Sequence, residues 1–245
     1  SVPTYGPIHV PIGIIPAGTD GTLAKFITRM SPVEAAEAIL RGHTQRTMDV
    51  IKLKQGSTER YSACGSSWGI PGQVANDSEP MRDVFGIYRY AASTVKHFVS
   101  LKPVHGSLTI QPAHPDMNVN FPCAHACSHC EAAASTPPRQ LPDPVELQGP
   151  FLIVAFMNTE KTCTPNSHLS DGCMDVFAIP KLSQVGLADL FLKVGSNAHL
   201  SDERFQYWKA KWVQVNPSSC TDVFNVDGEV MHAGATDVSV MPRAC

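Results

Sequence analysis

The sequence predicts an α+β protein: the end of an α/β layer over residues 1–47, followed by a β-sandwich-like region over residues 48–245. Three observations predict it. Residues 10–42 read as strand, glycine-containing loop, helix and a second, sharply capped helix. From residue 48 onward most apolar runs are short, as strands of a packed sheet are. Helical periodicity then returns only at 79–101 and 184–194, so the second region is mainly sheet.

Taken in order, the first strand is the apolar run 10–15, and residues 16–22 form the loop after it. Leu23, Phe26, Ile27 and Met30 recur at helical spacing. The second helix has Ser31 as N-cap, Pro32 at its first position, Glu34 closing a capping box and Gly42 ending it. Residues 48–54 and 60–65 flank a Gln55-Gly56-Ser57 turn and predict a hairpin. Over 79–101, Tyr90, Val95, Phe98 and Leu101 lie on or near one helical face. Further strands are expected at 107–111, 151–157, 174–179, 207–215 and 222–240, the last broken by an Asp227-Gly228 turn. Residues 113–150 are rich in proline, cysteine and histidine, show no periodicity, and read as a long insertion.

Composition limits the function. With 43% hydrophobic and 17% charged residues and a net charge of -3, the chain has the balance of a folded domain. It lacks the basic field that would collect nucleic acid, which excludes a nucleic-acid partner. The longest unbroken apolar run, 151–157, is far shorter than the ~20 residues of a membrane span. Any meeting with lipid is therefore expected at a membrane surface. The chain opens on Ser1 and enters an apolar strand almost at once, so it is expected to belong to a longer protein. Three of its eight cysteines crowd into residues 123–130, which suits a metal site in a cytoplasmic protein better than a secreted disulfide framework.

Five ordered stretches carry a resemblance. Ile14-Ile15-Pro16-Ala17-Gly18-Thr19-Asp20 comes first, then Arg46-Thr47-Met48-Asp49-Val50. Next come Trp68-Gly69-Ile70-Pro71-Gly72 with Asp77-Ser78-Glu79, Arg82 and Gly86-Ile87-Tyr88-Arg89-Tyr90. His168-Leu169-Ser170-Asp171-Gly172-Cys173-Met174-Asp175 and Asn225-Val226-Asp227-Gly228-Glu229-Val230-Met231-His232 complete the set. In this order they resemble motifs of the diacylglycerol, sphingosine and ceramide kinase superfamily, and lean toward its ceramide kinase branch.

The resemblance implies an ATP-dependent lipid kinase that makes ceramide 1-phosphate. The alternatives are a sphingosine or diacylglycerol kinase, or a non-catalytic lipid-binding regulatory form. It assigns ATP contact to Gly18, Thr19, Asp20, Arg82, Arg89, Asp227, Gly228 and Glu229. Read alone, a glycine loop ahead of a helix is more often a plain turn than an anion cradle, and Asp227-Gly228 is first of all a hairpin signal. On an extended chain Asp227 and Glu229 would share a face and suit Mg²⁺ (or Ca²⁺). Arg82 and Arg89 are expected within reach of one helix face. Gln73 stands where relatives carry a carboxylate for the lipid head group. Asp171, Gly172 and Asp175 are expected to support the cleft.

Cys123, Cys127 and Cys130 would supply three ligands of a structural Zn²⁺, with Cys163, His125 or His129 as the fourth. The general base of the family lies in a Gly-Gly-Asp-Gly-Thr motif ahead of the first strand. Asp20-Gly21-Thr22 follows that strand and is not it. The base is therefore expected upstream of Ser1, and residues 1–245 alone are expected to be inactive.

Overall fold

The computed structural model describes residues 11–17, 23–24, 30–42, 46–114, 123, 127–135, 140–160 and 163–244. Residues 11–17 are not a strand: Ile12 and Ile15 are exposed, and Ala17 N–H turns back to Ile15 O. Among the described residues no strand lies beside this apolar run to satisfy its backbone groups in a ladder. Helix α1 (Pro32–Arg41) follows its punctuation closely. Ser31 N–H donates to Glu34 at 2.8 Å, Glu34 N–H donates back to Ser31 Oγ, and Gly42 turns left-handed at φ +64°.

From residue 50 onward the described strands form one antiparallel sheet of eleven that curls on itself. β1 (Val50–Gln55) and β2 (Thr58–Ser62) form the expected hairpin, turning at Gly56 with φ +58°. β3 (Gly65–Gly69) leads directly into α2 (Ile70–Ser78). After α3 (Arg82–Phe85) and α4 (Arg89–Ser100) come β4 (Gly106–Pro112), α5 (Ser128–Ser135), β5 (Val145–Gln148) and β6 (Phe151–Met157). β7 (Met174–Pro180), α6 (Gln184–Leu192), β8 (Gln206–Pro217), β9 (Val223–Val226), β10 (Glu229–His232) and β11 (Thr236–Met241) complete the chain.

The main path runs β10-β9-β3-β6-β7-β8-β11-β1-β2. Twelve-residue β8 is the pivot: Gln206 to Ala210 pair with β7, while Trp212 to Val215 pair with β11 and with β4. Alternate side chains of almost every strand meet inside, among them Leu53, Trp68, Ile110, Phe156, Val176, Val213, Phe224 and Val238. The other face of β6 and β7 packs Leu152, Ile153, Phe177 and Ile179 against Ile70, Leu187 and Leu190, with Val74 and Phe98 beside them. Among the described residues no helix is long and apolar enough to cross a membrane.

Three expectations change. α2 is missing from the sequence reading because Pro71 and Gly72 punctuate it. The glycine is what lets the helix sit on β9, since a Cβ at 72 would lie 2.2 Å from Val223 O. The helix expected over 79–101 is broken by single 3₁₀ turns and by Gly86 at φ +50°. Arg82 and Arg89 therefore begin two different helices and share no helical face. The region read as a long insertion without periodicity contributes α5 and strand β5, which pairs with β4.

Candidate functional site

Four features of the sandwich carry polar chemistry or open space. The deepest is an ion cluster built on β7, β8 and the loop before β7. Tyr207, Lys209 and Lys211 alternate along β8 and so face one side. Lys209 Nζ donates to Asp171 Oδ2 at 3.0 Å and Asp175 Oδ2 at 2.9 Å, with all three residues buried. Tyr207 Oη donates to Asp175 Oδ1, and Cys173 N–H donates to Asp171 Oδ1 at 2.9 Å. His129 Nε2 lies 3.7 Å from Asp171 Oδ2. Burial opposes charge on Asp171, but the Lys209 ammonium and the His129 ring outweigh it and hold the carboxyl below its usual range. Burial likewise opposes charge on Lys209, and the two carboxylates reverse that, raising it well above an ordinary lysine.

Gly172, at φ +69°, connects this cluster to Asp49. Its N–H donates to Asp49 Oδ2 at 2.6 Å, Arg243 N–H donates to Asp49 Oδ1 at 2.7 Å, and Lys211 Nζ donates to Gly172 O at 2.7 Å. Asp49 is fully buried, and that desolvation pushes its carboxyl up to about 6. Asp171 and Asp175 thus sit in the interior, with Gly172 half-buried between them and Asp49. Asp49, which the sequence placed in a motif without giving it a role, and Lys209, which it did not single out, belong with them. The same-face spacing of Tyr207, Lys209 and Lys211 was the available signal for Lys209.

Beside the ion cluster lie the cysteines. Sγ of Cys123, Cys127 and Cys130 and a ring nitrogen of His168 all lie within 4.8 Å of one another, and all four residues are buried. The Cys123 thiol is pulled down, first by the hydrogen bond from Cys130, with Arg46 adding to it, while its partner Cys130 is pushed up. Cys163 is elsewhere. It packs on the Ile70–Leu187 cluster, and its carbonyl lies 3.2 Å from His199 Nε2. His129 instead faces Asp171 with its ring 4.6 Å from that of His168, and His125 lies outside the described residues. The side chain beside the three cysteines is thus His168, the first residue of the His-Leu-Ser-Asp-Gly stretch.

The third feature is the acidic turn between β9 and β10. Asp227 (φ +49°) and Gly228 (φ +96°) form the turn itself, outside both strands, so Asp227 and Glu229 do not have the extended spacing that would put them on one face. The Asp227 carboxylate is already engaged. It accepts from Ser62 Oγ at 2.9 Å, Ala63 N–H at 2.6 Å, Cys64 N–H at 3.1 Å and Gly65 N–H at 3.0 Å. Glu229 is exposed. The same-face carboxylate pair expected of an extended chain is therefore not seen here, and the cysteine–histidine group is the one cluster of three or more metal-competent side chains among the described residues.

The fourth feature is an apolar cavity of about 290 Å³ between α2, α4 and α6, lined by Ile70, Val74, Tyr90, Phe98, Leu187 and Asn225 among others. Asn225 joins it to the acidic turn, because its Oδ1 also accepts the Gly228 N–H at 2.7 Å. Gln73 follows on α2; its Nε2 donates to Lys102 O at 3.4 Å, and its buried Oε1 has no hydrogen-bond partner among the described residues. Arg89 stacks its guanidinium 4.7 Å from the Tyr90 ring centre and lies 3.8 Å from Glu79. Gly18, Thr19 and Asp20 lie outside the described residues, as does the side chain of Arg82.

Residues 66–245 match the family model described as the YegS C-terminal NAD kinase beta sandwich-like domain. The chain is 27% identical to sphingosine kinase 1 of Arabidopsis thaliana over 93% of its own length and 51% of that protein. It is 25% identical to human ceramide kinase over 96% of its length and 54% of that protein. The chain therefore spans about half the length of these curated relatives. Among solved structures, a putative diacylglycerol kinase from Bacillus anthracis superposes with a TM-score of 0.61 at 14% identity, over 96% of this chain and 68% of that one. That likeness shows the same fold, a curled sheet of the β-sandwich type with helices on its outer face.

Proposed function

Since the chain belongs to the YegS C-terminal family of β-sandwich-like domains, we propose that it is the sandwich portion of a lipid kinase that transfers the γ-phosphate of ATP to the primary hydroxyl of ceramide. The observation that carries this reading is Asn225. One side chain both lines an apolar cavity sized for hydrocarbon and shapes the acidic turn that leads to exposed Glu229. A lipid held in the cavity would have its polar end close to that turn. Glu229, Gly228 and Arg89 are the described residues we assign to the nucleotide side, with Gly18, Thr19, Asp20 and Arg82 joining them. Asp227 acts by holding the turn rather than by touching ATP. Mg²⁺ would be carried by the triphosphate, not by a carboxylate pair of this chain.

In the reaction the lipid hydroxyl oxygen bonds to the γ-phosphorus, the bond to the β-phosphate oxygen breaks, and ADP leaves with the lipid phosphate formed. The hydroxyl proton goes to a carboxylate base, and residues 1–245 contain no Gly-Gly-Asp-Gly motif to supply one. We therefore place the base outside this chain. Gln73, where relatives carry a carboxylate, would meet the lipid head group with a neutral amide whose open Oε1 accepts a hydrogen bond from an N–H or hydroxyl; it does not by itself choose between ceramide and sphingosine. Exposed Val84, Phe85, Tyr88, Val95, Val99 and Leu192 on and near α3, α4 and α6 would rest on the cytoplasmic surface of a membrane and open the cavity to lipid.

The test supplies the intact protein with labelled ATP and, in separate vesicles, ceramide, sphingosine and diacylglycerol. Labelled ceramide phosphate is expected, reduced at least tenfold by Val74→Trp, which fills the cavity. Labelling of sphingosine or diacylglycerol alone would overturn the choice of substrate. A protein that labels none of the three would overturn the kinase reading.

A further inference from the structure

The structure points to a tetrahedral zinc site in which Cys123, Cys127 and Cys130 are closed by Nδ1 of His168, and we propose that this site clamps the cysteine segment onto the loop that carries Asp171. The proposal does not depend on the kinase reading.

Distances are the first ground. Zinc bound at about 2.3 Å to sulfur and about 2.0 Å to nitrogen sets sulfur–sulfur and sulfur–nitrogen edges of roughly 3.5–3.8 Å. Three of the six edges lie close to that range, with Cys123 Sγ to Cys130 Sγ at 3.9 Å, Cys127 Sγ to His168 Nδ1 at 3.3 Å and Cys130 Sγ to His168 Nδ1 at 3.9 Å, and all six lie within 4.8 Å. A disulfide would need its sulfurs at about 2.05 Å, and no pair here approaches that. Four soft or borderline ligands with no carboxylate among them suit zinc far better than Mg²⁺ or Ca²⁺.

Surroundings are the second ground. Three thiolates and one neutral imidazole around Zn²⁺ carry a net charge of −1, which a buried site must have answered. Arg46 Nη2 donates to Cys123 Sγ at 3.2 Å, and Arg243 Nη2 donates to Cys130 O at 2.8 Å. Backbone N–H groups of Leu169 and Ser170 are directed at the sulfurs of Cys123 and Cys130. Thiolate sulfurs held by metal accept such bonds, and these outer partners orient the ligands.

Placement is the third ground. Cys127 lies just before α5, which carries Cys130, whereas His168 stands in the loop running into β7. The four residues are thus contributed by two segments that no strand pairing joins directly. α5 is a short helix with a single buried residue, Cys130, and so has little apolar burial of its own. Zinc would displace the thiol protons to solvent and fix α5 over the His168–Asp171 turn. That turn holds Asp171 against Lys209, so the metal braces the ion cluster from outside.

The experiment measures metal by native mass spectrometry and elemental analysis on the 245-residue chain and on the intact protein, purified without chelator. One zinc per chain is expected. Replacement by Co²⁺ should give the intense visible bands of tetrahedral thiolate coordination. His168→Cys should keep one metal, whereas His168→Ala should weaken metal retention at least a hundredfold against a competing chelator. Cys163→Ser should leave zinc unchanged. A chain that folds yet holds no zinc and takes up no Co²⁺ would overturn the site. A mass 2 Da low from a Cys123–Cys130 disulfide would do the same, as would zinc lost on Cys163→Ser but retained in His168→Ala.

Discussion

Among the described residues, two Asp-Gly turns look alike in sequence and are solved in opposite ways. At Asp171-Gly172 the carboxylate is buried, and its charge is answered by the Lys209 ammonium. At Asp227-Gly228 the residue is exposed, and its carboxylate is answered by three backbone N–H groups and a hydroxyl from residues 62–65. Both glycines take positive φ, so the backbone requirement is common to the two. What differs is the dielectric around the carboxylate. In the interior only another charge offsets desolvation, whereas at the surface dipoles are enough.

The sharpest way to break that contrast is to remove the buried cation. Lys209→Met leaves Asp171 and Asp175 facing the vacated space with one negative charge each. The expected loss is about 3–5 kcal/mol of folding stability, read as a fall in the denaturation midpoint. Lys209→Met combined with Asp175→Asn should recover part of that loss, because one of the two stranded charges is gone. If the single variant costs less than about 1 kcal/mol, the cluster is not the dry ion group described.

A second, smaller effect belongs to pH and to Asp49, the carboxylate on the other side of Gly172. Its folded value is raised to about 6 against an ordinary 3.8. Between these values the native protein keeps the proton while the unfolded chain has released it. Stability from this residue therefore falls as pH rises from about 4 to about 6, and is level above that. The span corresponds to about 2–3 kcal/mol. Asp171 has the opposite sign: its depressed value stabilises above the ordinary aspartate range and is lost in stronger acid. Asp49→Asn should remove the slope between pH 4 and 6 in a urea series and leave the more acidic collapse in place. A slope that survives the substitution would show that another group sets it.

Much of this was legible in the chain. The capping box at Ser31, the hairpin at Gly56 and the strands at 151–157 and 174–179 follow from local patterns that the fold does not override. β3 was not legible, because Gly-Ser-Ser-Trp-Gly has few of the branched residues that mark strands, yet it lies paired between β6 and β9. The long-range partners were hidden as well. Lys209 meets Asp171 across 38 residues, and His168 meets Cys127 across 41. Spacing within one segment shows three cysteines together, but a fourth group from another loop is fixed only by the strand order. Asp227 misled for a different reason: period two holds along a strand and fails at a turn, where its lone pairs were already committed to the backbone.

The smallest effect should come from the exposed turn, and it separates holding from binding. Asp227→Asn keeps one acceptor for the residue 63–65 amides and loses the charge that strengthens those bonds. Its expected cost is about 1 kcal/mol, and the difference from wild type should shrink in 1 M salt, where surface charge is screened. The cost of Lys209→Met should stay nearly constant there, since its partners are buried. Glu229→Gln, on an exposed strand end with no such duty, should leave stability within about 0.5 kcal/mol. It should nevertheless weaken nucleotide binding by the intact protein, measured by calorimetric titration with ATP and Mg²⁺. Were Asp227→Asn to leave stability and its salt dependence untouched, the exposed carboxylate would not be the organiser of its turn, and the contrast between the two Asp-Gly sites would dissolve.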